Sequence, residues 1–156
     1  MRIPVLLTVL TCIALPAGAV DTPGSNPSAP PVSVQERLVK ARQAVDAKDW
    51  KLAERELGVA AREAPRNADV HNLLGYAYRK RTPPDMAKAY EHYNQALKLD
   101  PNHKGAHDYI GEAYLQDRRL PEAEQHLSAL ERICGGTSCE EYQDLAKAVA
   151  DYKAKN

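Results

Sequence analysis

The sequence predicts an all-α protein in which helix pairs stack into a solenoid. Three observations carry this. The first is repetition at a spacing of 34 to 36 residues: "HNLLGYAY" from His71 is answered by "HDYIGEAY" from His107, and "MAKAYEHYNQALKLDP" from Met86 by "LPEAEQHLSALERICG" from Leu120. A fixed period is the mark of a repeat architecture. The second is apolar spacing of three and four, as in Met86, Ala89, Tyr90, Tyr93, Ala96 and Leu97, which puts one face of a helix against a neighbour. The third is punctuation. Pro65 and Pro101 close segments, Pro83, Pro84 and Pro121 stand at helix starts, and no stretch alternates as a strand does.

The chain opens with a leader. Met1-Arg2 precedes an apolar run from Ile3 to Leu15, then Ala17-Gly18-Ala19, the order of charged start, short apolar core and small-residue cleavage site found in secretory signals. Residues 1–19 are therefore expected to be a signal cleaved after Ala19, with a periplasmic or secreted product. The run falls short of the roughly 20 apolar residues a spanning helix needs, so no membrane insertion is expected after cleavage. Lipid attachment at Cys12 is the rival, but Thr11 before it is not small and the apolar run continues past it. Residues 20–33, rich in Pro and Ser and free of aromatics, are expected to be a disordered linker.

The remainder, about 120 residues, suits one domain. The whole chain balances 21 basic against 21 acidic residues, and loss of Arg2 leaves 20 against 21. No overall field recruits nucleic acid or a membrane surface.

Residues 34–137 divide into three copies, 34–67, 68–103 and 104–137. The middle copy carries Leu74, Gly75, Tyr78, Ala89, Tyr93, Ala96 and Pro101. The third carries Ile110, Gly111, Tyr114, Ala123, Leu127 and Leu130, with Gly135 in place of the proline. The first is degenerate: Trp50, Ala53, Leu57, Ala60 and Pro65 match, but its opening helix, with Val34, Leu38, Ala41 and Val45, lacks the Leu-Gly pair. A terminal copy meets solvent on one side and is expected to diverge. On these residues the chain resembles the tetratricopeptide repeat (TPR) family, and the resemblance implies a right-handed α-solenoid of three helix pairs. "RTPPD" from Arg81 lengthens the turn inside the middle pair by two residues. Gly75 and Gly111 each cost about 1 kcal/mol in helix propensity relative to Ala, so close packing is expected around them.

Residues 138–156 are expected to supply a capping helix. Tyr142, Leu145, Ala146, Val149 and Tyr152 form its apolar stripe, suited to cover the open end of a helical stack. Ser138 and Glu141 have the spacing of a capping box, with Glu140 and Glu141 favouring the helix N-terminus. Gly135-Gly136 can supply the left-handed turn that ends the preceding helix.

Around that turn stand Cys134 and Cys139, the even pair left once the leader is gone. In an oxidising compartment an even pair favours a disulfide, which would close a loop of six residues. The alternative is a thiol-redox or soft-metal site, since a cysteine at a helix N-terminus has a more reactive thiolate. Neither the Cys-x-x-Cys spacing nor a following His supports it.

Histidines 71, 103 and 107 suggest a metal cluster only weakly, because His71 and His107 occupy a packing place in their copies and His103 lies in a turn. His92 and His126 are expected to be exposed. No cofactor or metal is expected. Glycine loops for phosphate, Gly-x-Ser-x-Gly elbows and His-Glu-x-x-His patterns are absent from the sequence, so an enzyme is not expected.

The resemblance implies a non-catalytic interaction scaffold, since first helices in the TPR family line a concave groove for segments of partner proteins. Carried over by position, the groove residues are Arg42, Asp69, Asn72, Tyr76, Arg79, Lys80, Asp108, Tyr109, Glu112 and Gln116. One TPR subgroup grips a C-terminal carboxylate through Lys, Asn and Arg. The matching places here hold Leu38, Arg42, Leu73, Gly105 and Tyr109, so that mode is not expected. Self-association through the ends of the stack is left open.

Overall fold

The computed structural model describes residues 32–156. The leader 1–19 and nearly all of the linker 20–33 lie outside the described residues. Within them the chain forms seven helices and no strand: α1 Val34–Asp46, α2 Trp50–Glu63, α3 Ala68–Lys80, α4 Met86–Leu99, α5 Lys104–Gln116, α6 Leu120–Cys134 and α7 Glu140–Lys155. None is long and apolar enough to cross a membrane.

Short polar residues start most of them. The side chains of Asp49, Asn67, Asp85 and His103 accept hydrogen bonds from amides in the first turns of α2, α3, α4 and α5, supplying partners that a helix N-terminus lacks. Ser33 and Glu36 form a reciprocal capping box on α1. The capping box expected at Ser138 and Glu141 does not form. Cys139 is the N-cap of α7 and makes no side-chain cap bond, so the cap falls one residue later than the Ser138 spacing suggests.

Each pair is closed by the same backbone bond, from the residue before the second helix back to the first helix: Asp49 N to Ala44 O at 2.8 Å, Asp85 N to Tyr78 O at 2.9 Å, and Arg119 N to Tyr114 O at 2.8 Å. In the outer pairs Lys48 and Arg118 adopt positive φ, 57° and 61°, to make the turn. The middle pair reaches the same closure through its longer, proline-bearing turn, so the insertion is absorbed locally.

Packing explains why the pairs stack. One core layer joins α1, α2 and α3 through Leu38, Leu57, Val70 and Leu74. A second joins α4 and α5 through Tyr93 and Ile110, and a third joins α5, α6 and α7 through Leu130, Leu145 and Val149. Every layer borrows the first helix of the next pair, so no pair buries its apolar face alone. Ala53, Ala89 and Ala123 are fully buried and let helices approach closely. α7 takes the place a further first helix would occupy, against α5 and α6.

Neighbouring first helices touch: α1 meets α3, α3 meets α5 and α5 meets α7. The second helices α2, α4 and α6 do not touch one another. The stack is therefore narrower along its first helices, which form the concave side.

Candidate functional site: the concave face

The most distinctive feature of this side is aromatic. Tyr76 on α3 and Tyr109 on α5 lie with ring centroids 4.6 Å apart, and Trp50 at the start of α2 extends the strip, 6.3 Å from Tyr76. All three are half-buried. Arg79 and Lys80 stand over the Tyr76 ring, at 5.4 and 5.6 Å from its centroid, within the range where a cation is drawn to an aromatic face. Burial raises the pKa of both phenols, Tyr109 to about 12, so they are neutral donors at any physiological pH.

The ten residues assigned to the groove divide into two groups. Arg42, Asp69, Lys80 and Gln116 are exposed and Tyr76, Tyr109 and Glu112 are half-buried; these can meet a visitor. Asn72, Arg79 and Asp108 are only 6, 5 and 4 % exposed, and this corrects their placement as contact residues. Arg79 is consumed internally: its Nε donates to the Tyr93 hydroxyl at 3.3 Å and its guanidinium pairs with Glu112. Asp69 is partly occupied as well, 3.0 Å from His103 Nε2.

Asn72 and Asp108 occupy equivalent places in successive first helices, and the Oδ1 of each is buried without a hydrogen-bond partner. Burial, with Glu112 and Asp144 adding like charge, pushes the Asp108 carboxyl up to about 8. It is a neutral acid at pH 7, which avoids the larger cost of an unpaired buried charge.

Beyond the aromatic strip a cavity of about 330 Å³ opens between α3, α5 and α7, lined by Arg79, Glu112, Leu115, Gln116, Tyr152 and Lys155 among others. Helix α7 thus walls the concave face as well as covering the core. A larger hollow of about 720 Å³ lies between the start of α5 and the end of α6, beside Lys104, His107 and Arg132; none of the groove residues lines it.

At the turn after α6, Gly135 is left-handed at φ 66° and Gly136 at 142°. The amide of Gly136 returns to the Glu131 carbonyl at 2.9 Å and that of Gly135 to Arg132 at 3.3 Å, the two bonds of a Schellman ending. Cys134 and Cys139 face each other across it as a bonded pair, Cα atoms 6.0 Å apart. Glu141 places a carboxylate oxygen within 4.8 Å of both sulfurs.

The histidines depart from expectation. His92 and His126 are half-buried. Each meets a first-helix histidine nitrogen to nitrogen, His71 with His92 at 3.1 Å and His107 with His126 at 2.9 Å. Nothing in the repeat pattern signalled the pairing, although both pairs recur at the repeat spacing.

A two-sided stack of helix pairs joined through shared core layers defines a class, the helical-repeat solenoid. No protein-family model matches the chain, and none of the curated proteins matches it in sequence. Solved structures do match in shape. The TPR2B domain of yeast Sti1, solved as a complex with pHsp70, is similar with a TM-score of 0.69 at 16% identity, over 79% of this chain and 98% of that one. The first TPR domain of human RPAP3 is similar with a TM-score of 0.64 at 16% identity, over 79% and 97%. The fold is an all-α TPR solenoid.

Proposed function

We propose that the chain is an exported, non-catalytic scaffold that binds a segment of a partner protein on its concave face. The observation that carries this is the half-buried strip Trp50, Tyr76 and Tyr109, with the exposed cation Lys80 over the Tyr76 ring and Arg42 exposed on α1. Aromatics with a polar edge are the side chains that most often anchor protein interfaces, and the cations favour a partner segment bearing acidic residues. The yeast neighbour was solved with pHsp70, but the carboxylate-gripping places hold Leu38, Arg42, Leu73, Gly105 and Tyr109 here, so a C-terminal tail of that kind is not the proposed partner.

The test is site-specific crosslinking in cells. A photoreactive residue at Gln116 on the concave side is expected to capture a discrete partner, one at Lys98 on α4 is not, and Tyr76→Ala with Lys80→Ala is expected to abolish capture. Equal capture from both positions would overturn the reading.

We propose further that the Cys134–Cys139 pair is a structural staple in an oxidising compartment. The second reading, a thiol or soft-metal site, draws on Glu141 as a third donor beside the two sulfurs, and it requires the pair to be reduced first. Loss of partner capture in the Cys134→Ser, Cys139→Ser protein with the fold intact would favour it.

A further inference from the structure

The two histidine pairs repeat one construction. His71 Nε2 lies 3.0 Å from the carbonyl of Pro65, and His107 Nε2 lies 3.0 Å from the carbonyl of Pro101. A carbonyl only accepts, so each of these nitrogens carries a hydrogen and, in a neutral ring, leaves Nδ1 bare. The bare Nδ1 faces the Nδ1 of a second-helix histidine, which must therefore donate. Each second-helix ring also stacks on a tyrosine of the first helix, His92 on Tyr78 with the planes 1° apart and His126 on Tyr114 at 18°. Helix pair two and helix pair three are thus each clasped by a chain running from proline carbonyl through two imidazoles to a phenol ring.

The rings meet head-on. Centroids are 5.4 and 5.1 Å apart where the nitrogens are 3.1 and 2.9 Å apart, so nearly the full depth of both rings lies along the nitrogen–nitrogen line. That direction suits one hydrogen held between two nitrogens. A chelated metal would instead need both lone pairs to converge on a point to one side.

We infer that the His71–His92 and His107–His126 pairs are proton-operated latches between the first and second helices, closed at neutral pH and released in acid, and that release loosens the concave face. One added proton can be accommodated, because the second-helix ring can move its own hydrogen to Nε2 and accept from the protonated partner. A second proton sets two N–H groups against each other. The surrounding charges do little to offset this: Glu91 and Lys88 flank His92 with opposite effects, while His103, Arg132 and Asp100 surround His107. Burial, and the neighbouring histidine, lower the His92 and His126 pKa values, the latter to about 4. Folded values below the ordinary one of about 6.5 mean that the unfolded chain binds more protons, so stability is complete above that pH and declines as the pH falls towards 4.

The inference rests on the proposed function only in its consequence for partner binding. In urea titrations of the purified protein carrying Asp108→Asn, which removes a carboxyl of opposite pH dependence, the folding equilibrium constant is expected to fall at least about tenfold between about pH 7.5 and pH 5. When His92→Gln and His126→Gln are added to that protein, most of the acid loss is expected to disappear, and an unchanged loss would overturn the latch. Should the double variant not fold, ring-nitrogen NMR of the unaltered protein decides. At about pH 7.5, His71 and His107 as Nε2–H tautomers with His92 and His126 as Nδ1–H tautomers support the latch; any other combination of tautomers sinks it. Stabilisation by zinc ions at neutral pH would also overturn it, assigning the pairs to metal. Partner crosslinking from Gln116 should weaken in acid in the unaltered protein only. If crosslinks form at no pH while the acid loss behaves as stated, the groove reading fails and the latch stands.

Discussion

The ring of Tyr93 occupies the space that a side chain at residue 75 would need: a Cβ built on Gly75 stands 2.6 Å from both Cδ1 and Cε1. Tyr93 is fully buried and its hydroxyl is held by Arg79, so the ring cannot swing aside. Replacing Gly75 with Ala gains about 1 kcal/mol of helix propensity but overpacks a closed core, which costs about 1–3 kcal/mol. The expected outcome of Gly75→Ala is a net loss of up to about 2 kcal/mol, partly recovered when Tyr93→Leu is added. Denaturant midpoints of the two variants check it.

Gly111 tests the same idea with a different partner. There a Cβ would stand 2.6 Å from Leu145 Cδ2, on α7. Gly111→Ala is therefore expected to loosen α7 before the rest of the stack, seen as faster amide exchange in residues 140–155 than in α3 and α4.

Arg79 is buried with its charge matched by Glu112. Glu112→Ala leaves that guanidinium with the Tyr93 hydroxyl and the Tyr76 ring but no counter-charge, and a stranded buried charge is costly. Glu112 itself is 31% exposed, so water limits the damage. The expected loss is about 1–3 kcal/mol, and Glu112→Gln should lose less because its amide oxygen still accepts.

Asp108 gives a pH dependence opposite in sign to that of the histidines. Its folded value of about 8 lies above the ordinary carboxyl value of about 3.9, so between these the folded chain holds a proton that the unfolded chain has lost. Its contribution to stability therefore falls as pH rises through that window and levels off above about 8. Asp108→Asn is expected to raise stability by about 1–3 kcal/mol at pH 8 and by little at pH 4. Equal gains at both pH values in urea titrations would contradict the assignment.

Opening the Cys134–Cys139 pair frees a six-residue loop, for which chain entropy gives about 2 kcal/mol. Reduction, or serine at both positions, is expected to lower the melting temperature without changing the helical circular dichroism signal at low temperature.

Much of the fold was legible because repetition reports itself. Small residues such as Gly75, Ala89 and Gly111 recur at places where only close helix approach explains them, and apolar spacing marks the faces that the helices bury. The start of α7 was misplaced because Ser138 and Glu141 satisfy a local spacing rule while the turn at Gly135-Gly136 and the cysteine pair dictate where the chain re-enters a helix.

The site was less legible. Position within a first helix says which side a residue points toward, and Tyr76, Lys80 and Tyr109, chosen on that ground, keep exposed surface in the folded chain. It does not say whether a neighbour covers the residue, which is why Arg79, Asn72 and Asp108 were assigned to the surface. The contact of Trp50 with Tyr76 was missed because Trp50 belongs to a second helix, and the α7 wall of the cavity because a cap was expected to face the core alone.

What the sequence by itself determined is the period, the helices and the order in which they pair, since these follow from local spacing repeated in register. Only the tertiary structure decided which polar groups meet: Arg79 with Glu112, His71 with His92, His107 with His126. Such contacts join residues 19 to 33 positions apart, and they depend on side-chain directions that no helical periodicity records.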